Sequence, residues 1–126
     1  MARPDASARA IARFAPPIAL MGVIYALSAQ PDLTSGLGTI DLVGRKLVHM
    51  AAYGLLWFLW HRALRFRHAG WAAAIAIGYA MTDEFHQTFV HGREGTPRDV
   101  LIDAAGVAIA YAIWRRHLSR LAAREA

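Results

Sequence analysis

Residues 69–87, AGWAAAIAIGYAMTDEFHQ, join a long apolar run to a compact cluster of polar and charged side chains. The run from Ala69 to Met81 is apolar around its whole circumference, whereas a helix of a small soluble bundle carries a polar stripe. Polar groups that continue an apolar membrane helix normally face the interior of the bundle. We therefore expect one lipid-contacting helix here, continuing toward Val90 with its polar residues turned inward.

Three further apolar blocks, Phe14–Ala29, Leu47–Trp60 and Val100–Trp114, complete the pattern. The chain is 56% hydrophobic and 18% charged, whereas soluble domains average about 45–50% and about 25%. Each block alone is shorter than the roughly 30 Å hydrocarbon core, so we expect the second helix to begin near Val43. The sequence predicts a single all-α domain over residues 1–126, a polytopic membrane protein with a four-transmembrane-helix bundle.

The charged residues differ between the two ends of this bundle. Ten basic and two acidic residues flank the starts of the first and third blocks and the ends of the second and fourth. The other end has four basic and seven acidic residues. By the positive-inside rule both termini are cytoplasmic, in a multi-pass membrane protein. Because the basic residues form short clusters beside apolar blocks, the partner that we expect is the lipid bilayer and not nucleic acid.

The first block permits a second interpretation. An arginine-rich start, an apolar stretch and the small residues of Ala26-Leu27-Ser28-Ala29 also fit a cleavable signal peptide. Cleavage would leave three helices and satisfy the same loop charges.

Glycines and alanines recur in the apolar blocks. We expect Gly54 and Gly78 to permit close helix packing, since small residues are enriched where membrane helices meet. The absence of cysteine excludes disulfide bonds and thiol catalysis.

Polar residues of three helices fall at the same, outer level of the predicted bundle. In the second helix they share one face, in the third they lie within a turn and a half, and in the fourth Asp99 is a candidate N-cap. Because an isolated charge in a bilayer is costly, these side chains should meet. The expected cluster comprises Lys46, His49, Tyr53, Asp83, Glu84, His86, Gln87, Arg93, Asp99 and Asp103.

The same residues resemble a known family. TDEFHQTFVHGR at 82–93, DVLID at 99–103 with Gly106, and KLVH at 46–49 with Tyr53 are similar to motifs of the VanZ-like family of small bacterial membrane proteins. The resemblance is strongest over residues 45–114. It implies a multi-pass fold in the bacterial inner membrane, as part of the cell envelope. It also implies a link to glycopeptide tolerance, because the founding member is associated with teicoplanin resistance. Two positions depart from the pattern: His91 replaces a common proline, and Asp103 replaces a common asparagine.

Two functions of different classes fit these residues. In the first, Lys46, Arg93 and Arg98 hold the phosphate or carboxylate of a lipid-linked or anionic envelope ligand. In any catalysis there, Glu84, His86 and Asp99 act as acid or base. In the second, the cluster only fixes helix packing in a scaffold or interaction protein.

A metal centre is the weaker interpretation of the same cluster. Glu84, His86, His49 and Asp99 are of ligand type, but the chain has no histidine pair at the i, i+4 spacing of strong metal motifs. We therefore expect neither a metal nor another cofactor.

Overall fold

The computed structural model describes residues 2–29, 39–90 and 96–126, and these residues form helices without any strand. The all-α class is therefore confirmed for them. The third helix continues through the polar cluster as expected, and the second begins at Thr39, a turn earlier than the sequence predicts. The four helices are α1 (Ala6–Ser28), α2 (Thr39–Ala63), α3 (Ala69–Gln87) and α4 (Pro97–Glu125).

Side-chain caps define the starts of α1 and α4. The Asp5 carboxylate accepts a hydrogen bond of 2.7 Å from the backbone N–H of Ala8. At α4 the cap is Thr96, whose Oγ1 accepts from the backbone N–H of Asp99 at 3.3 Å, and Pro97 takes the first helical position. The sequence-based assignment of Asp99 as the N-cap is therefore wrong. A proline has no N–H to lose at this first position, so Thr96-Pro97 begins the helix and Asp99 lies in its first turn.

The turn between α2 and α3 is closed by a Schellman-type pair of hydrogen bonds. The N–H of Phe66 donates to the carbonyl of His61 at 2.8 Å, and that of Arg65 donates to the carbonyl of Arg62 at 2.9 Å. Arg65 and Phe66 both have positive φ, a region that glycine normally fills. The Phe66 ring stacks on Trp114 of α4, with centroids 5.1 Å apart. This contact anchors the turn to the bundle and offsets its backbone cost.

Helices α2 and α4 run parallel and form the most extensive contact in the bundle. They approach closely at Gly106, where an added Cβ atom would overlap the carbonyl oxygen of Met50. One turn further along, a Cβ on Gly54 would meet the carbonyl oxygen of Gly106 at 3.0 Å. Close packing at Gly54 is thus confirmed. At Gly78 the expectation is wrong, since no described atom lies within 4 Å of the position that a Cβ would take, and the small residues that α3 buries are Ala72, Ala76 and Ala80.

Hydrogen bonds at both ends hold α1 against the other helices. At the basic end, Arg13 Nε donates to the carbonyl of Ala63, the last residue of α2, at 3.0 Å. Nearer the other end, the Tyr79 hydroxyl of α3 donates to the carbonyl of Met21 at 2.6 Å. The Arg13 contact joins the first half of α1 to the end of α2, so these two helices are antiparallel. Successive helices of the bundle alternate in this way, and the ends of α1 and α3 therefore lie at the same level as the start of α4.

The exterior of the bundle is apolar while part of its interior is polar. Asp83, Glu84, Gln87 and Asp103 are buried, whereas large apolar side chains on all four helices are at least half exposed. Those exposed side chains include Ile18, Leu27, Leu47, Val48, Leu55, Trp71, Met81, Phe85, Leu101 and Ile113. Among the described helices only α1 is long and apolar enough by composition to cross a membrane. Segments such as TDEFHQ lower the hydropathy of the others, and the four-span arrangement stays a prediction.

The close crossing of α2 and α4 predicts a sharp difference between two glycines. Gly106→Ala should lower the free energy of unfolding by about 3 kcal/mol, because the added methyl group forces the two backbones apart. Gly78→Ala should leave stability unchanged or raise it by up to about 1 kcal/mol, since alanine favours the helix. Thermal unfolding of the two variants in detergent measures this difference. Equal melting temperatures would contradict the packing described here.

Candidate functional site

Asp83 is the centre of the polar site at the α3–α4 end of the bundle. Its Oδ2 accepts hydrogen bonds from the hydroxyl of Ser28 at 2.8 Å, the hydroxyl of Tyr53 at 3.2 Å and the amide of Gln87 at 3.4 Å. These donors come from α1, α2 and α3 respectively. Asp83 is only 2% exposed, and its Oδ1 has no hydrogen-bond partner among the described residues. One oxygen therefore joins three helices, while the other has no described donor.

Asp103 brings a second buried carboxylate to the same level. Its Oδ1 lies 3.6 Å from His49 Nδ1 on α2, and its side chain is 2% exposed. Asp103 Oδ2, like Asp83 Oδ1, is buried and has no hydrogen-bond partner in the described part of the chain. His49 also stacks on the Tyr53 ring, with centroids 6.2 Å apart, which connects this pair to the contacts of Asp83.

Thr96 links the two remaining acids of the site, Glu84 and Asp99. The backbone N–H of Thr96 donates to Glu84 Oε2 at 3.3 Å, and its hydroxyl donates to Asp99 Oδ2 at 3.1 Å. The other oxygen of Asp99 forms an ion pair with Lys46 Nζ. Glu84 is buried, whereas Lys46 and Asp99 are half-buried. The ion pair therefore lies at the rim of the site and Glu84 lies inside it.

The predicted cluster is assembled from most of the expected residues. Contacts among the described residues join the predicted site residues of α2, α3 and α4, except His86. The His86 ring lies against Tyr25 of α1, with centroids 4.6 Å apart, and its buried Nδ1 has no described partner. Arg93, the expected counter-ion of the acids, lies outside the described residues. In the described part of the chain, Lys46 contacts the carboxylate of Asp99.

Two residues of this network, Ser28 and Thr96, were not among the predicted site residues. Ser28 ends α1, and its place in the site depends on the packing of α1 against α3, which the sequence does not show. Thr96 could have been found, because threonine before proline is a characteristic helix start. Its two roles, as cap and as donor to Glu84, follow from that position.

The arrangement suits hydrogen-bond acceptance better than metal binding. The described donors that contact Asp83 and Glu84 are two hydroxyl groups, a side-chain amide and a backbone N–H. Within the described ranges no three histidine or acidic side chains are grouped so that they could hold a metal ion. Asp83 Oδ1 and Asp103 Oδ2 are buried oxygens without a described hydrogen-bond partner, and carboxylate oxygens accept from hydroxyl or amine groups.

The comparison with known families supports the motif resemblance. The sequence profile of the VanZ/LLP1 family matches residues 7–120, which is nearly the whole chain. The chain belongs to the VanZ/LLP1 family. No curated protein and no solved structure matches it. In this VanZ-like protein the matched region includes nearly all of the four helices and every residue of the polar site, and membership is consistent with a membrane protein of the cell envelope.

Removal of the central carboxylate tests the network. Asp83→Ala leaves the Ser28 and Tyr53 hydroxyls buried without their acceptor, and should lower the free energy of unfolding by about 2 kcal/mol or more. Ser28→Ala removes one donor and should cost about 1 kcal/mol. Thr82→Ala, at an exposed position beside Asp83, is the matched control and should stay within about 0.5 kcal/mol of the parent. The measurement is thermal unfolding in detergent. Equal melting temperatures for Asp83→Ala and Thr82→Ala would contradict the network.

Proposed function

We propose that this VanZ-like chain is a multi-pass protein of the bacterial inner membrane, whose four helices all cross the bilayer with both termini cytoplasmic. The exposed apolar side chains of all four helices support lipid contact. The excess of basic residues at the opposite end from the polar site supports this orientation. In it, the polar site lies in the outer leaflet.

We further propose that the polar site binds a lipid-linked or anionic ligand of the cell envelope. The observation that carries this proposal is a pair of buried carboxylate oxygens, Asp83 Oδ1 and Asp103 Oδ2, that have no hydrogen-bond partner among the residues that the structure describes. Natural interiors satisfy nearly all such groups, and we assign the donor for these two acceptors to the ligand. Hydroxyl groups of a lipid-linked saccharide would supply it.

The anionic part of such a ligand would bind at the rim. Lys46 is paired there with Asp99, and a phosphate can replace that carboxylate as its partner. Arg93 and Arg98 follow in the sequence as further cations. His49, Tyr53 and Gln87 would orient the acids, and Glu84, His86 and Asp99 are the residues that we propose for any proton transfer. A link to glycopeptide tolerance comes from the family alone.

A scaffold is the second candidate function, and the contacts of Asp83 Oδ2 favour it. Three donors from three helices at one oxygen form the kind of buried network that fixes helix packing. In that case the polar cluster stabilises the bundle and binds nothing.

Glu84→Gln distinguishes the two functions. Glutamine keeps the volume and the acceptor for Thr96, so the protein should still insert and should melt within about 1 kcal/mol of the parent. If the site is functional, the variant should not restore the envelope or glycopeptide-tolerance phenotype that deletion of the gene produces. The measurement is complementation together with expression level and detergent melting.

The control for this experiment is Glu125→Gln, which removes an exposed carboxylate from the last residue of α4 and should complement fully. Arg93→Lys provides a second arm, because a bidentate anion site responds to the loss of the guanidinium group whereas simple charge balance does not. Full complementation by both Glu84→Gln and Arg93→Lys would contradict a functional site and favour the scaffold.

A further inference from the structure

A second concave feature lies between α2 and α4, away from the polar site. This α2–α4 groove has a volume of about 500 Å³. Its floor includes Gly54 and Gly106, and its walls include Leu55, Phe58 and Ile113. Among the described residues that line it, His117 at its end is the ionisable one. The groove is therefore an apolar channel on the surface of the bundle.

The position of the groove separates it from the polar site. It begins at Met50 and Gly106, below the His49–Asp103 pair, and ends at Trp114 and His117. The twelve residues from Gly106 to His117 extend about 16 Å along the helix, close to half of the roughly 30 Å hydrocarbon core. The groove thus has the length of one leaflet and lies in the half of the bundle nearer its basic end.

Two basic residues of α4 follow the end of the groove on the same face of the helix. The α4 residues that line it recur at 106, 109, 110, 113, 114 and 117. The same helical spacing continues to Arg120 and Arg124, which are exposed. Side chains on a helix lean toward its N-terminus, so those of Arg120 and Arg124 can reach back toward the end of the groove. Arg115 lies on the opposite face of α4, with its guanidinium carbon 5.9 Å from the Tyr111 ring centre.

We propose that the α2–α4 groove binds an acyl chain of an anionic phospholipid from the cytoplasmic leaflet, with the lipid phosphate held by Arg120 and Arg124. An apolar channel of one-leaflet length that ends at two cations is complementary to a lipid chain below a negative headgroup. The acyl chain of a neutral lipid would also fit the groove, but its headgroup would offer no negative charge to Arg120 and Arg124. The same surface suits a second copy of this chain poorly, because a symmetric pairing would bring like charges together. The site depends on the proposed orientation and is independent of what binds at Asp83 and Asp103.

Lipid retention by the purified full-length protein tests the proposal. The protein in detergent receives equal amounts of phosphatidylglycerol and phosphatidylcholine with identical acyl chains, and native mass spectrometry counts the bound lipids. We expect preferential retention of phosphatidylglycerol. Arg120→Gln should reduce this preference about five-fold, at about 1 kcal/mol for each basic residue near a membrane surface. The double variant with Arg124→Gln should reduce it roughly 30-fold.

Two matched controls separate the groove from general attraction to basic residues. Arg115→Gln removes the same charge from the opposite face and should keep the full preference. Ala51→Phe places a large side chain at an exposed position that lines the groove and should reduce retention of both lipids, whereas Ala122→Phe, away from the groove, should not. Equal retention of the two lipids by the parent, or equal losses for Arg115→Gln and Arg120→Gln, would overturn the proposal. A dimer that excludes lipid from this face would also overturn it.

Discussion

The carboxylate of Asp83 is the point at which three helices are joined in a bundle with an apolar exterior. Because Asp83 is almost fully buried, it needs hydrogen-bond donors, and they come from the last residue of α1, the middle of α2 and the last turn of α3. This requirement sets the relative heights of the three helices. A shift of α1 by one turn would remove Ser28 from reach and leave the acid with fewer partners.

The contact between α2 and α4 depends on close backbone packing and not on a shared hydrogen-bond acceptor. Backbone contact at Gly106 brings these helices so close that the Lys46–Asp99 and His49–Asp103 pairs form directly above it. Below it, α2 and α4 stay in contact at Gly54, and the apolar groove lies along the same two helices. The close approach at these two glycines therefore lies between the polar contacts at one end and the apolar groove at the other.

The sequence predicts the fold class and most of the polar site, because both depend on local spacing. The run TDEFHQ after an apolar helix indicates inward-facing acids, and the i, i+3, i+7 spacing of Lys46, His49 and Tyr53 indicates a shared face. Contacts between helices are harder to predict from the sequence. The place of Ser28 beside Asp83, and the turn of His86 toward Tyr25, depend on how α1 packs. The positive φ of Arg65 could not be predicted from the sequence either. The contact that stabilises this turn is the stacking of Phe66 on Trp114, which is distant in the sequence.

The central claim of this account is that a VanZ/LLP1-family bundle spans the membrane with its polar site outside and its basic end inside. The chain has no cysteine, so single cysteines report on topology without background. Arg98→Cys, beside the polar site, and Arg65→Cys, in the α2–α3 turn, both replace exposed residues. With a membrane-impermeant maleimide on intact cells, the account predicts that Arg98→Cys is labelled and that Arg65→Cys is labelled only after lysis. Labelling of Arg65→Cys in intact cells, or protection of Arg98→Cys, would contradict it.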